Sequence, residues 1–507
     1  MSISVGLATD SKHVSLNTDS EDGDHAERVT AFEVGGGDDD MDGDRVKWID
    51  RLDAGSTIPF AVFNLVNSII GAGIIGLPYA IRDCGLIMGT FLLLFVSWVT
   101  FYSVGLLIES GEEWKVYDYP SLAEKVFGKY GRRMATFFVF TMAFGAMIAY
   151  MMIVGDSITR VAEGGANGNR DSLFADRRFV IVLTSLVTIL PVSLFRKMSS
   201  LASTSLFSIS CDFALIVCVL AFSQQAAENS YVYAPGDSVP TRGITADLDA
   251  HAFSFARARV FQGIGAMSFA FVCHHSSFVV YNSMKNRTEE AWRKVSGAGG
   301  LIACAACMIL GLGGYLRFYS WSKADVLNNF GFSVEISFAR ILLSFTMILT
   351  YPMEMFVARE ILHAAIYGSS TPITPQRHLL FTMLLFLLSL FFACATDDLG
   401  FVLEFSGAVS SGVVGFILPP LFALYSPSWP SRSRATKILI RVVFVFGIVT
   451  SIVGAVSAIL NSFGDLKDCT SKPSVHPPMT LVNGTNVPSI SGDPVDGVQS
   501  IFFSRCP

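Results

Sequence analysis

The stretch from Phe63 to Ala80 holds three glycines, Gly71, Gly73 and Gly76, and Pro78 within eight residues of an otherwise apolar run. Glycine lowers helix stability, and proline removes a donor and clashes with the preceding turn. A continuous helix is therefore a poor solution, and backbone groups freed in an apolar medium must find partners. A break of this kind offers the N–H groups and positive dipole end of a half-helix to an anion such as a carboxylate. The carbonyls of the other half-helix suit a hard cation. The competing reading is a glycine-rich face that packs closely against a neighbouring helix. Gln262 to Phe271 repeats the theme, with Gly263 and Gly265 interrupting a second apolar run. Two interrupted runs at corresponding positions of two five-span halves point to an inverted repeat with a site between them.

The elements that must position these residues follow from composition. The chain has 507 residues, of which 51% are hydrophobic and 15% charged, and its mean hydropathy is +0.51. Soluble domains run near 25% charged, so a disordered chain, a disulfide scaffold and an ordinary soluble enzyme are poor descriptions. Apolar runs fall at 58–81, 86–108, 135–160, 179–195, 201–223, 259–281, 297–317, 335–357, 379–395, 399–424 and 438–460. That pattern predicts an all-α polytopic membrane protein of about eleven transmembrane helices. No apolar segment precedes residue 58, so the first span itself is expected to start insertion rather than a cleaved leader.

Residues 1–50 carry a formal charge of −9 out of the total of −6, which leaves +3 for the rest. Acidity is thus a property of the tail, and residues 1–55 read as a disordered acidic cytoplasmic segment. Asp38, Asp40, Asp42 and Gly43 imitate the start of a calcium loop, but Ile49 stands where the bidentate Glu belongs. Absence of a basic face or nucleic-acid motif argues against nucleic acid as a partner. Twenty Lys and Arg flank one side of the spans and fourteen the other. This bias places the N-terminus in the cytoplasm. Residues 461–507 then face the exterior or a lumen, where Asn483-Gly484-Thr485 is a glycosylation sequon and Cys469 and Cys506 could pair. The remaining cysteines read as small buried residues, Cys304 and Cys307 included, because that C-x-x-C has no second pair.

Ionisable residues inside spans are functional candidates because burying charge in a bilayer is costly. Asp156, Asp212, His274, His275, Glu354 and Glu404 qualify. His274 and His275 could carry protons at mildly acidic pH, against the alternative of hydrogen-bonded packing. Asp156 and Glu354 sit near the expected span ends, whereas Asp212 lies deeper. No phosphate loop, metal-ligand helix or nucleophile elbow is present, so an enzyme is not expected.

The motif N-S-I-I-G-A-G-I-I-G-L-P-Y-A at 67–80 resembles the first-span signature of the amino acid/auxin permease family. The likeness is strongest to its sodium-coupled neutral and vacuolar amino acid transporter branch. Three further stretches agree: Ala270 to Phe278, Tyr351-Pro352, and Asp398 to Ala408. The resemblance covers about 56–460 and leaves both tails outside. It implies a LeuT-like 5+5 inverted repeat with broken helices 1 and 6. It also implies a secondary active transporter that moves amino acids, neutral ones above all, by ion-coupled alternating access. By that resemblance, amides around Gly71, Ala72, Gly73 and Ile74 hold the substrate carboxylate, and backbone near Ser268, Phe269 and Ala270 takes the amino group. A sodium site would use the carbonyls of Asn67 and Ile70 with the hydroxyls of Thr346 and Thr350, and His274 is a further ion-coupling candidate. Ile348 stands where the sodium-coupled branch is expected to have a hydroxyl, so sodium and proton coupling both stay open. No cofactor is expected. The expected partners are the substrate, the lipid bilayer and a cytosolic protein at the N-terminal tail, with the chain acting as a monomer in the plasma, vacuolar or lysosomal membrane. Alternatives are a proton-coupled exporter from such an organelle, or an amino-acid sensor that signals through the tail.

Overall fold

The computed structural model describes residues 56–165, 176–194, 204–222, 255–257, 259–331, 333–368, 371–471, 479–482 and 485–488. All of them belong to one compact unit, Leu52–Pro507, and the other unit, Met1–Arg51, lies outside the described residues. The acidic tail, Asn483 and Cys506 therefore fall outside them, as does the side chain of Cys469.

Apart from one short hairpin and the connecting loops and turns, the described residues are helical. The first run is broken into α1 (Ile58–Ile69), the single turn α2 (Ala72–Ile75) and α3 (Leu77–Cys84). Then come α4 (Leu86–Trp114) and α5 (Tyr119–Gly165), which bends at Gly128, where φ is 68°. The next expected span is α6 (Arg177–Thr184), a π-helical turn and α7 (Leu190–Ser193), followed by α8 (Thr204–Ala221). The sixth run is broken into α9 (Val260–Phe271) and α10 (His274–Ser283). The rest comprises α11 (Glu289–Phe318), α12 (Val334–Tyr367), α13 (Pro375–Ala395), α14 (Leu399–Ser406), α15 (Leu418–Leu424) and α16 (Arg434–Ser471). Two π-helical turns, Gly407–Ser411 and Val413–Ile417, join α14 to α15. Such turns interrupt the regular ladder and often sit at functional positions.

Among the described residues every expected apolar run contains helix, and eight helical stretches are long and apolar enough to cross a membrane. The first and fourth runs are shorter or split, and the fifth is the 18-residue α8. The last helix continues to Ser471, beyond the expected end at 460, and is followed by β1 (Met479–Val482) paired antiparallel with β2 (Thr485–Pro488).

Local chemistry sets several helix starts. Thr288, Ser333, Thr374 and Asp398 accept N–H groups of the first turns of α11, α12, α13 and α14. These caps satisfy donors that a helix cannot pair internally. Packing places α12 against α5 and α8, α11 against α1, and α9 against α3, α14 and α16. The last helix leaves Ile438, Val442, Val445 and Ile452 exposed. An apolar outer face fits lipid as its solvent. The two broken runs thus occupy the interior.

Candidate functional site

The first break falls where the glycines predict it. Ile70 and Gly71 leave helical geometry, with ψ of 83° at Ile70 and φ/ψ of −133°/−143° at Gly71. Backbone bonds run from Ile70 N–H to Val66 O, Gly71 N–H to Ile69 O and Ile74 N–H to Gly71 O. Among the described residues no such bond is made by the N–H groups of Ala72 or Gly73 across the break. Those two amides are the donors that an anion would use.

The sixth break lies further along than the glycines suggest. Val272 (φ −68°, ψ 118°) and Cys273 (φ −130°, ψ 10°) interrupt the run, while Gly263 and Gly265 stay inside α9. Ser268, Phe269 and Ala270 therefore form the last helical turn before the break. Ser268 is already committed, since its hydroxyl donates to Ile264 O at 2.7 Å and its carbonyl accepts from Val272 N–H at 3.1 Å. Among the described residues, the carbonyls of Phe269, Ala270 and Phe271 receive no backbone N–H across the break. Acceptors for an ammonium group are thus on hand at Phe269 and Ala270 rather than at Ser268.

The two breaks touch. A Cβ built on Gly73 would lie 2.3 Å from the Cα of Ala270, so the pair meets backbone to backbone. At Gly71 a Cβ would stand 3.1 Å from the hydroxyl of Tyr150 in α5. Tyr150 is a residue that the sequence pattern gives no reason to select, because it lies in an apolar run without a polar repeat.

Beside the breaks is a cavity lined by Ser68, Tyr150, His275, Ser276, Val279, Thr350, Met353, Glu354 and Val357. It lies between α1, α5, α10 and α12. His275 Nε2 is 3.2 Å from Glu354 Oε1, and their side chains are only 4% and 9% exposed. Glu354 is well inside the helix rather than near its end, because α12 runs on to Tyr367. Asp212 of α8 is buried beside Thr346, with Oδ2 lacking a hydrogen-bond partner.

The expected sodium ligands are distributed as follows. Asn67 is 3% exposed and its Oδ1 has no hydrogen-bond partner. Ile70 supplies a carbonyl at the break. Thr350 lines the cavity with Ser68, and its hydroxyl donates to Thr346 O at 2.8 Å. Thr346 lies one turn away, against Asp212. An orphaned amide oxygen, a carbonyl and buried hydroxyls near a carboxylate are hard-oxygen donors of the type that a sodium ion takes. His274 is elsewhere. It is fully buried, 2.6 Å from the Ser103 hydroxyl, which in turn donates to Gly415 O at 2.6 Å. It faces α4 and the π-helical turn, so of the two adjacent histidines it is His275 that lines the cavity.

On the other side of the breaks the helices are sealed. Arg82 pairs with Asp83 at 2.7 Å and donates to Ser322 O at 2.9 Å. Arg259 lies 3.6 Å from Asp83, 3.5 Å from the Tyr79 hydroxyl and 4.0 Å from Glu404. These groups join α3, the start of α9, α14 and the loop 322–330. Within that loop Asp325 is buried and accepts Leu327 N–H at 2.9 Å. Burial pushes its carboxyl up to about 6, against the pull of Arg340.

Asp156 is bonded to Arg177, which also holds Asp397 at 2.8 Å, so this expected candidate is part of a clasp remote from the cavity. Among the described residues no group of three or more His, Cys, Asp or Glu side chains could hold a metal ion.

Comparison with known proteins bears on the family and the fold. Residues 54–460 match the family described as "Transmembrane amino acid transporter protein". The chain is 33% identical over 411 residues to the Rattus norvegicus protein "Putative sodium-coupled neutral amino acid transporter 11", covering 81% of this chain and 86% of that one. It is 26% identical over 457 residues to vacuolar amino acid transporter 2 of Saccharomyces cerevisiae, covering 88% and 92%. Among solved structures, MhsT in complex with L-phenylalanine matches with a TM-score of 0.50 at 12% identity, over 79% of this chain and 98% of that one. That likeness shows the fold, a LeuT-like helical arrangement with two broken helices. By its sequence and its relatives, the chain belongs to the transmembrane amino acid transporter family, the amino acid/auxin permeases, and is a transporter rather than an enzyme.

Proposed function

We propose that the chain moves neutral amino acids across a membrane by ion-coupled alternating access. The observation that carries this reading is the pairing of two breaks that meet at Gly73 and Ala270 with free amides on one and free carbonyls on the other. A zwitterion has matching ends. Ala72 and Gly73 N–H groups would take its carboxylate, and the carbonyls of Phe269 and Ala270 its ammonium. The absence of Lys or Arg among the cavity-lining residues disfavours an acidic side chain. Seal on one side and cavity on the other fit one state of an alternating cycle. Asn67, Ile70, Thr346 and Thr350 are the proposed sodium ligands, and the cytoplasmic N-terminus is part of the same reading.

The test is uptake of a labelled amino-acid panel into proteoliposomes with sodium and pH gradients imposed separately. Concentrative uptake of neutral amino acids under one gradient supports the reading. Ligand-induced thermal stabilisation without flux under either gradient would move the assignment to a sensor. A second reading, export from a vacuole or lysosome, draws on the likeness to the yeast vacuolar protein. Immunolocalisation of the full chain separates that reading from plasma-membrane uptake.

A further inference from the structure

We propose that the His275–Glu354 pair is the proton-binding site of the transport cycle, a role that rests on the amino-acid transport reading above. The pair bridges a broken helix and a continuous one, α10 and α12, on the wall of the cavity. Both side chains are more than nine-tenths buried. Each retains one polar atom without a hydrogen-bond partner, Nδ1 of His275 and Oε2 of Glu354. A structural ion pair would be expected to use those atoms.

The groups that face the pair leave it short of positive charge. From α5 comes Tyr150, whose hydroxyl borders Gly71. From α8 comes Asp212, which with Glu354 acts on Tyr150. From α1 comes Ser68, and from α10 itself Ser276. His274 faces Ser103 on the opposite side. Arg359, further along α12, donates to Thr382 of α13 at 3.0 Å. Among the described residues His275 is the only ion-pair partner of Glu354.

Charge counting then sets the behaviour. With one shared proton the pair is neutral, as Glu–COOH with neutral imidazole or as carboxylate with imidazolium. Loss of that proton leaves a buried carboxylate facing a neutral imidazole, which is costly in a low-dielectric interior. Closing the cavity around a substrate removes the remaining water and raises that cost. The occluded state therefore favours the protonated pair, so that proton and substrate cross together. When the site opens, water returns and the proton leaves from the pair to water. Position matters as much as charge. One partner rides on the half of a broken helix that would move between states, so opening changes the His275–Glu354 separation.

The test uses the full chain in proteoliposomes and reads the proton-to-substrate ratio with a pH-sensitive dye beside labelled amino acid. Wild type should move protons with substrate, and its apparent substrate affinity should rise as pH falls. Glu354→Gln should bring the ratio to zero and flatten the pH profile of substrate binding, whatever its absolute affinity. His275→Gln should flatten the same profile, which keeps the proposal testable if either variant folds poorly. An unchanged ratio in Glu354→Gln overturns the proposal. So does a wild type that exchanges amino acids without moving protons, a result that leaves the transport reading standing. A wild type that neither binds nor exchanges any amino acid overturns the transport reading instead. Loss of substrate binding at every pH in a folded Glu354→Gln, judged by its thermal transition, would make Glu354 a ligand of the substrate ammonium and also overturn the proposal.

Discussion

The two sides of the breaks are built by different means. On the sealed side α3 and α9 approach so closely that a Cβ on Gly263 would lie 2.7 Å from Ala80 O. Arg82, Asp83, Arg259 and Glu404 then join three helices and a loop in one charged cluster. On the cavity side α1 and α10 are joined by backbone bonds at their far ends, Ser56 N–H to Ser283 O and Lys285 N–H to Ser56 O. Side chains hold the rest of α10, His275 to Glu354 at 3.2 Å next to the break and Tyr281 to Glu112 at 2.5 Å towards the far end. Backbone-to-backbone packing resists sliding, whereas a cavity wall fixed by a few polar contacts can shift at lower cost. This conformation is therefore tight on one side, and α1 and α10 are tied so as to move as a pair.

The point where both sides meet should be the most sensitive to substitution. Gly73→Leu would force the breaks apart, because even a Cβ overlaps Ala270, and overpacking of this kind typically costs about 1–3 kcal/mol. Uptake and ligand-induced thermal stabilisation should both be lost. Normal transport in this variant would remove the breaks from the site. Next, Arg259→Ala leaves Asp83 with Arg82 alone and Glu404 without its ion-pair partner. Removing one member of a buried ionic cluster can cost about 3–5 kcal/mol, discounted here because Arg259 is about one-third exposed. Cys84, buried under this cluster, should then react faster with a maleimide, read by peptide mass mapping. Unchanged labelling would mean that the charges do not close this side.

Smaller effects sharpen the contrast. Thr350→Ala removes a hydroxyl from the cavity wall and should raise the sodium concentration needed for half-maximal uptake several-fold if sodium is the coupling ion. An unchanged sodium response takes Thr350 out of the site. The smallest effect concerns the loop over the sealed side. The Asp325 carboxyl titrates near 6 in the folded chain, above its unfolded range near 4. A raised carboxyl favours the folded loop while it is protonated, so stability should fall as pH rises from about 4 to about 6 and then level off. Asp325→Asn should remove that slope in a thermal-unfolding series, and a slope that persists would assign it to another group.

Much of the architecture was legible because glycine, proline and apolar length leave few solutions in a membrane. The first break follows directly from Gly71, Gly73, Gly76 and Pro78. The sixth was legible as a break but not in its position. Gly263 and Gly265 serve close helix contacts, the latter against Glu404 O, and the backbone instead opens at Val272 and Cys273, which carry no sequence signal for it. Adjacent histidines could not be told apart, since which one faces the cavity depends on where α10 starts. Glu354 read as a span-end residue because the apolar pattern stops near 357, although the helix does not. Tyr150 and the partner of Asp212 depend on tertiary contacts between distant helices, which periodicity does not encode.

Alternating access requires the two sides to open in turn. The direct measurement is reciprocal labelling of Cys84 on the sealed side and of a cysteine introduced as Val279→Cys at the cavity, in proteoliposomes with and without a transported amino acid. During turnover, labelling at Cys84 should rise as labelling at position 279 falls. Labelling that rises or falls at both positions together, or changes at neither in a protein that demonstrably transports, would contradict alternating access through these two breaks.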